Sequence, residues 1–248
     1  MQDSSQLKLE KWKSLLLRID INLEGIVCEK IYYPYKIREL DVYKFRSFYR
    51  DLSGESFEEE LSILNEQCIN EFELALNRKL PEDYKYYCQV FGKGIFGIKN
   101  ICIDCPDIGA INEYLGSSQG ILEACLETYR FEGIADHEIE QLIENALIFG
   151  HGSDYLIFVF DLRSYDEEDK SCEIYGLKYD YSNSYIRKIG RNFFTFVRDS
   201  IVGEGLKREF PELIFPLPVS EEESLARGEC RYKGTTFTPI PKYDSLEY

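Results

Sequence analysis

The chain has 248 residues, of which 44% are hydrophobic and 30% charged, and its formal net charge is −16. A globular protein of this size can bury a sizeable core without disulfides or metals. The negative charge repels phosphate backbones and anionic lipids, which argues against direct binding to nucleic acid or to a membrane. The same charge permits a basic protein partner.

The N-terminus and the lack of a long apolar run predict a cytoplasmic protein. The first residues are polar and lack the basic and apolar regions of an export signal, and no apolar run is long enough to span a bilayer. The eight cysteines are therefore predicted to be free thiols. Cys102 and Cys105 form a lone C-x-x-C motif, but His137 and His151 are distant in sequence. We accordingly predict no metal site, no redox pair and no cofactor.

The first 77 residues contain mixed signals. Trp12 lies in a stretch with helical spacing of apolar residues, and an alternating stretch at 19–23 favours a strand. A further strand is predicted at 26–33 and a turn at 51–54. A long helix is predicted over 56–77, because Ser56 and Glu59 have capping-box spacing and an apolar stripe follows.

The middle of the chain predicts further helices and a short sheet segment. Pro81 suits the first turn of a helix, where no backbone donor is needed, and Gly92 suits its end. The remaining predictions are strands within 95–103, a short helix capped by Asp107, a loop at 116–120, a helix over 121–129 and another over 136–144.

The strongest strand signal follows. The apolar runs 146–149 and 155–161 flank the sequence Gly150-His151-Gly152-Ser153-Asp154, which predicts a hairpin in which the glycines permit positive φ. Two more strands are predicted at 172–179 and 184–189, and Asn192 is expected to cap a closing helix that extends to 203. The proline-rich tail after this helix is predicted to be mostly irregular.

Three segments carry a resemblance to a known family. They are Leu80-Pro81-Glu82-Asp83-Tyr84, the stretch from Leu147 through Gly152-Ser153-Asp154 to Asp161, and Asn192-Phe193-Phe194-Thr195-Phe196-Val197. In order and spacing they resemble the SUKH superfamily, which includes yeast cell-wall-synthesis regulators of the Smi/Knr type. The chain departs from that pattern at Ser153, where a glycine is common, and in a long insertion at 111–145.

The resemblance implies an α+β fold, with a mixed or antiparallel sheet built from residues 95–189 and helices packed mainly on one face. It divides the chain into an N-terminal extension (1–55), a SUKH-like domain (56–203) and a proline-rich acidic tail (204–248). It also implies binding rather than catalysis. We therefore predict an immunity protein that neutralises a basic, nuclease-type toxin, and the alternative is an intracellular scaffold or regulator similar to the yeast members.

The predicted partner-binding surface is an acidic loop with neighbouring tyrosines. Outward-facing tyrosines beside acids form the rigid, amphipathic surface that protein interfaces favour. A solvated hairpin connection is the alternative explanation for the loop. The predicted contact residues are Tyr165, Asp166, Glu167, Glu168, Asp169, Tyr179 and Tyr181.

No catalytic residue is predicted. His151, Ser153 and Asp154 include the three residue types of a hydrolytic triad, but adjacency in sequence does not make side chains converge on one reacting atom. A turn explains the same residues more simply. With 45 acidic residues, pairs of carboxylates are inevitable and indicate no acid–base chemistry.

Overall fold

The computed structural model describes residues 4–16, 18–21, 36–41, 46–50, 56–60, 64–97, 101–106, 111–152, 155–181, 183–211 and 236–239. The strand predicted at 26–33 and the turn predicted at 51–54 lie outside these ranges. The helices are α1 (Ser4–Leu16), α2 (Glu66–Leu76), α3 (Glu82–Val90), α4 (Ile111–Phe131), α5 (His137–Glu144), α6 (Phe193–Thr195), which continues as a π-helix (Phe196–Val202), and α7 (Gly205–Glu209). The strands are β1 (Asp20–Ile21), β2 (Lys36–Asp41), β3 (Arg46–Arg50), β4 (Ser56–Glu60), β5 (Gly94–Phe96), β6 (Ile101–Ile103), β7 (Ala146–His151), β8 (Leu156–Asp166), β9 (Ser171–Lys178), β10 (Tyr185–Gly190) and β11 (Thr236–Pro239).

The main sheet has eight strands in the order β1-β11-β5-β6-β7-β8-β9-β10. The pair β1 and β11 is parallel and the other neighbours are antiparallel, so the predicted mixed sheet in an α+β fold is confirmed. A separate antiparallel sheet contains β2, β3 and β4. The tail that was predicted to be irregular contributes β11, which lies between β1 and β5.

Helices cover both faces of the main sheet unequally. Neighbouring residues of β7 point to opposite faces, and Leu147 belongs to the larger core whereas Ile148 belongs to the smaller one. The larger core lies between the sheet and the helices α1, α2, α3, α6 and α7. This helix-covered face corresponds to the one that the resemblance implied. The smaller core is covered by α4 and α5, the helices of the predicted insertion.

The larger core is rich in aromatic rings, which supply 14 of its 32 buried residues within the described ranges. Phe149 and Phe160 lie across the hairpin with ring centroids 4.1 Å apart, and Phe193 of α6 packs edge-on against Phe149 at 5.2 Å. Asn192 caps α6 as predicted, because its side chain accepts a hydrogen bond from the backbone N–H of Thr195 at 2.8 Å.

Two predicted boundaries are wrong. Residues 56–60 form β4, which pairs with β3, and α2 begins after Asn65, whose side chain accepts from the backbone N–H of Cys68 at 2.8 Å. The partner strand β3 lies outside the four-residue window of Ser56 and Glu59, so the capping-box spacing carries no information about this pairing. The loop predicted at 116–120 is instead the interior of α4, a single 21-residue helix.

The continuity of α4 has a packing explanation. Glycine costs about 1 kcal/mol in a helix interior. A Cβ added at Gly116 or Gly120 would meet no atom within 4 Å, so both glycines face open space. Leu115, Leu122 and Tyr129 recur every seven residues and pack into the two cores, which keeps one face of the helix buried through the glycine-containing turns.

We expect replacement of Tyr87 by phenylalanine to raise the free energy of unfolding by about 1–2 kcal/mol. The Tyr87 ring stacks on Phe91 at 5.1 Å, but its buried hydroxyl has no hydrogen-bond partner among the described residues. Tyr84→Phe is the matched control, because the Tyr84 hydroxyl donates to the carbonyl oxygen of Asp104 at 2.7 Å and its loss should destabilise. Urea denaturation measures both changes, and shifts of the same sign would contradict the assignment.

Candidate functional site

The predicted acidic loop is the tight turn between β8 and β9. The carboxylate of Asp166 accepts hydrogen bonds from the backbone N–H groups of Glu168 (2.8 Å) and Asp169 (3.0 Å), and these bonds lower its pKa. Asp166 therefore organises the turn, whereas Glu167, Glu168 and Asp169 are exposed. Lys170 forms an ion pair with Glu167 at 2.7 Å.

The acidic turn packs against the start of α3. The carbonyl oxygen of Lys170 accepts a hydrogen bond from the backbone N–H of Glu82 at 2.8 Å, which satisfies one of the free donors at that helix end. Tyr165 is half-buried against the larger core, and burial followed by the charge of Glu167 raises its pKa to about 12. Two of the segments singled out in the sequence thus meet here, and Tyr165 contributes mainly to packing.

The other two predicted contact residues lie at the opposite end of β9. Seven residue steps separate Ser171 from Lys178, which is about 23 Å along a strand. Tyr179 packs against the smaller core and contacts Tyr155, with ring centroids 5.6 Å apart. Tyr181 is 71% exposed and packs edge-on against the exposed ring of Phe131. The structure therefore does not bring the seven predicted residues into one surface.

A second acidic surface covers the smaller core. Residues 111–144 contain eight acidic side chains and one basic one, Arg130, which pairs with Glu140 at 2.7 Å. Glu123, Glu127 and Glu138 are among the exposed carboxylates of α4 and α5. The sequence pattern did not predict this surface, because its charges are spread over two helices and form no dense acidic run.

A cavity of about 560 Å³ opens beside the end of β7. One wall carries Lys93, Asp104 and His151, and another carries Tyr155 and Tyr179. The first turns of α4 complete it with Tyr114, Ser117 and Ile121. The predicted contact residue Tyr179 is thus part of a concave surface that combines aromatic and charged side chains.

Charged groups on the first wall are paired with one another. The Asp104 carboxylate accepts from His151 Nδ1 at 3.1 Å and forms an ion pair with Lys93 Nζ at 2.9 Å. Burial raises the pKa of Asp104, but the hydrogen bond from His151 and the charge of Lys93 outweigh it, so the pKa lies below its usual value. For Lys93 the effect of Asp104 outweighs burial and raises the pKa.

The C-x-x-C motif divides between this cluster and the core. Cys102 Sγ lies 3.9 Å from Asp104 Oδ1, and burial followed by the charge of Asp104 raises the pKa of the thiol to about 12. Cys105 belongs to the larger core, where burial and then the neighbouring Cys88 thiol raise its pKa. Six cysteines fall within the described residues and all six are unpaired thiols.

The strand pairing explains why His151 meets the cysteine motif. Cys102 and His151 are direct partners across β6 and β7. A Cβ added at Gly150 would lie 2.8 Å from the Cys102 carbonyl oxygen, and one at Gly152 would lie 2.7 Å from Ile101 Cδ1. Gly150 is therefore required by the close approach of the Cys102 backbone, whereas Gly152 meets only the movable end of a side chain, and the predicted reason, positive φ, is wrong for both glycines. Ser153 and Asp154 of the apparent triad lie outside the described residues.

The fold and the motifs together define a domain class. The domain has an α+β fold, and each of the three segments that carried the resemblance has the structure that the SUKH pattern implies. The Leu80–Tyr84 segment starts a helix, the hairpin supplies core phenylalanines, and Asn192 caps the closing helix. A family model, the SMI1 / KNR4 family (SUKH-1), matches residues 63–199, and the chain belongs to this family. Neither the curated proteins nor the solved structures contain a significant match.

Within the described part of the chain, no helix has both the length and the apolar character needed to cross a membrane.

Proposed function

We propose that the chain is a cytoplasmic, non-catalytic binding protein that neutralises a basic toxin of the nuclease class. Membership of the SMI1 / KNR4 family is the observation that carries this proposal. The resemblance implies a protein that acts by binding, because members of the superfamily do so and many of them are immunity proteins. The segments that match the family pattern lie in the core or at turns and helix ends, so they maintain the domain and leave its surface free to vary with the partner.

The chemistry of the cavity wall supports binding over catalysis. Cys102, Asp104 and His151 are the residue types of a cysteine-based active site. A nucleophilic cysteine needs a lowered pKa, because the thiolate is the reactive form. Burial and the charge of Asp104 instead raise the pKa of Cys102 to about 12, so in the metal-free chain the thiol is protonated at neutral pH and is a poor nucleophile.

Clustered acidic charge supports a basic partner. The accessible surface is 14400 Å², so a charge of −16 spread evenly leaves about one negative charge on an interface of roughly 800 Å². One negative charge per interface is too little to distinguish a basic partner from other proteins. The turn at 166–169 and the α4–α5 surface both exceed it, and either could occupy the groove in which a nuclease holds phosphates.

A regulatory or scaffolding role is the second candidate. It is favoured by the family description itself, since the resemblance includes yeast regulators of cell-wall synthesis. The two candidates differ in what the partner does to a cell. We therefore expect affinity capture with this chain, followed by mass spectrometry, to identify a partner whose expression alone stops growth and whose co-expression with the chain restores it. A captured partner that is harmless on its own would favour the regulator.

The acidic turn should steer the partner during association. We expect the variant E167Q/E168Q/D169N to slow association with the captured partner about three- to tenfold at low salt and to flatten the dependence of the rate on salt, because rim charges act mainly on the association rate. Asp166 is retained because its carboxylate organises the turn. Stopped-flow or surface-plasmon measurements at several salt concentrations give the rates.

The matched control removes the same charge from the other acidic surface. E123Q/E127Q/E138Q also changes the net charge from −16 to −13 (−16 + 3), at exposed positions of α4 and α5. If both variants slow association equally, net charge alone is responsible and the turn has no special role. If only the control variant slows association, the partner approaches the α4–α5 surface instead.

A further inference from the structure

We propose that Cys102, Asp104 and His151 form a binding site for a divalent transition-metal ion of the zinc class. The thiol sulfur, a carboxylate oxygen and an imidazole nitrogen of these residues all lie within 4.8 Å of one another. This proposal goes beyond partner binding and replaces the sequence-based expectation that the chain has no metal site. That expectation assumed that a histidine 46 or more residues from the cysteine motif stays distant, whereas strand pairing makes it a neighbour.

The backbone determines this convergence. Cys102 and His151 are opposite each other in adjacent antiparallel strands, where Cβ atoms are about 4.5–5.5 Å apart. Asp104 follows Cys102 by two residues, which is the spacing that returns an extended chain to the same face. The backbone N–H of Asp104 donates to the carbonyl oxygen of Phe149 at 2.9 Å, so the chain stays tied to β7 at this point.

The distances suit a tetrahedral ion. Zinc bonds of about 2.0–2.3 Å place neighbouring ligand atoms about 3.6 Å apart. His151 Nδ1 is 3.1 Å from Asp104 Oδ2, close to that value, and the three donor atoms all lie within 4.8 Å of one another, so the set would contract slightly around an ion. The His151 side chain is 54% exposed, so a metal ion can reach its imidazole ring from solvent.

The donor set selects the class of ion. Magnesium and calcium prefer oxygen donors, whereas a thiolate with an imidazole and one carboxylate favours zinc and related ions. On binding, the Cys102 S–H bond is replaced by a sulfur–metal bond, and the proton leaves to solvent. Lys93 can keep its contact with Asp104 Oδ1 while Oδ2 binds the ion, as a supporting partner that orients a ligating carboxylate.

Three protein ligands leave one tetrahedral position open. Asp104 and His151 line the 560 Å³ cavity, so this position would face the cavity and take water or a donor atom from a bound molecule. The ion would also tie β6 to β7 at the mouth of the cavity.

Cobalt titration tests the site directly. The full-length chain, reduced and freed of metal with a chelator, should bind one equivalent of Co²⁺ with a sulfur-to-cobalt charge-transfer band, and Zn²⁺ should displace it. Cys102→Ser should abolish that band. His151→Gln, at a half-exposed position that should not affect folding, should weaken Zn²⁺ binding at least tenfold.

Matched controls separate this site from adventitious binding. Cys68→Ser removes a partly exposed thiol of α2, and His137→Gln removes an exposed imidazole of α5. Both should bind cobalt and zinc as the unmodified chain does. The proposal is overturned if the chain binds no stoichiometric Co²⁺ or Zn²⁺, or if Cys102→Ser and His151→Gln bind both ions unchanged. Because the readout is metal binding, it is independent of whether the chain neutralises a toxin.

Discussion

Replacement of Trp12 by alanine is expected to lower the free energy of unfolding by about 3–5 kcal/mol, the range for removing a buried tryptophan or phenylalanine. Trp12 belongs to α1, outside the segment that the family model matches, yet its side chain is 0% exposed. Its ring packs edge-on against Phe194 at 4.8 Å and against Tyr87 at 5.6 Å. The indole N–H has no hydrogen-bond partner among the described residues, so the stabilisation comes from ring packing.

Circular dichroism during urea denaturation measures this loss, because Trp12 is the only tryptophan and its removal eliminates the tryptophan fluorescence that would otherwise report unfolding. Leu7→Ala is the matched control on the same helix. Leu7 is 53% exposed, and its replacement should change stability by no more than about 0.5 kcal/mol. If Trp12→Ala were as stable as Leu7→Ala, α1 would not belong to the folded core. The domain would then be the family-matched segment without it.

Phe193→Ala is expected to cost a similar amount, about 3–5 kcal/mol. Phe193 begins α6 and joins the closing segment to the other elements of the larger core. Its ring lies 5.3 Å from that of Tyr84 and 5.5 Å from that of Phe160, with Trp12 at 6.0 Å. The change leaves a cavity where α1, α3, α6 and the hairpin meet.

Thr195→Ala tests the same helical turn without disturbing the core. Thr195 is exposed, and the bond that caps α6 uses its backbone N–H, which alanine retains. Its expected effect is within about 0.5 kcal/mol. The double variant W12A/F193A adds a test of contact, because rings that pack together should show a coupling of about 0.5–1.5 kcal/mol. Strict additivity would contradict the packing of α1 against α6.

Segments with a strong local pattern were predicted correctly from the sequence. The start of α3 at Pro81, the strands on both sides of residues 152–155 and the cap at Asn192 each depend on a few neighbouring residues. The turn at 166–169 was also recognised locally, since four consecutive acids between apolar alternations cannot enter a core. These features follow from chain stiffness, capping and burial, which act over one or two turns of the chain.

The errors occurred where contacts outside the local sequence window decide the outcome. Residues 56–60 are extended because β3 pairs with them, although their local spacing suits a helix cap. Residues 116–120 are helical because α4 gains burial on both sides of its glycines. In each case a tertiary contact contributes more than the local preference of about 1 kcal/mol that the sequence pattern expresses.

The arrangement of the functional surfaces was likewise decided by tertiary structure alone. Composition and motifs determined the acidic character, the α+β class and the family. The length of β9 separates Tyr181 from the acidic turn, although the loop and the tyrosines are near in sequence. Conversely, pairing of β6 with β7 places His151 beside Cys102 and Asp104, although α4 and α5 separate these strands in the sequence. Strand register is set by which segments pair and by what they bury, and no local window of the sequence contains that information.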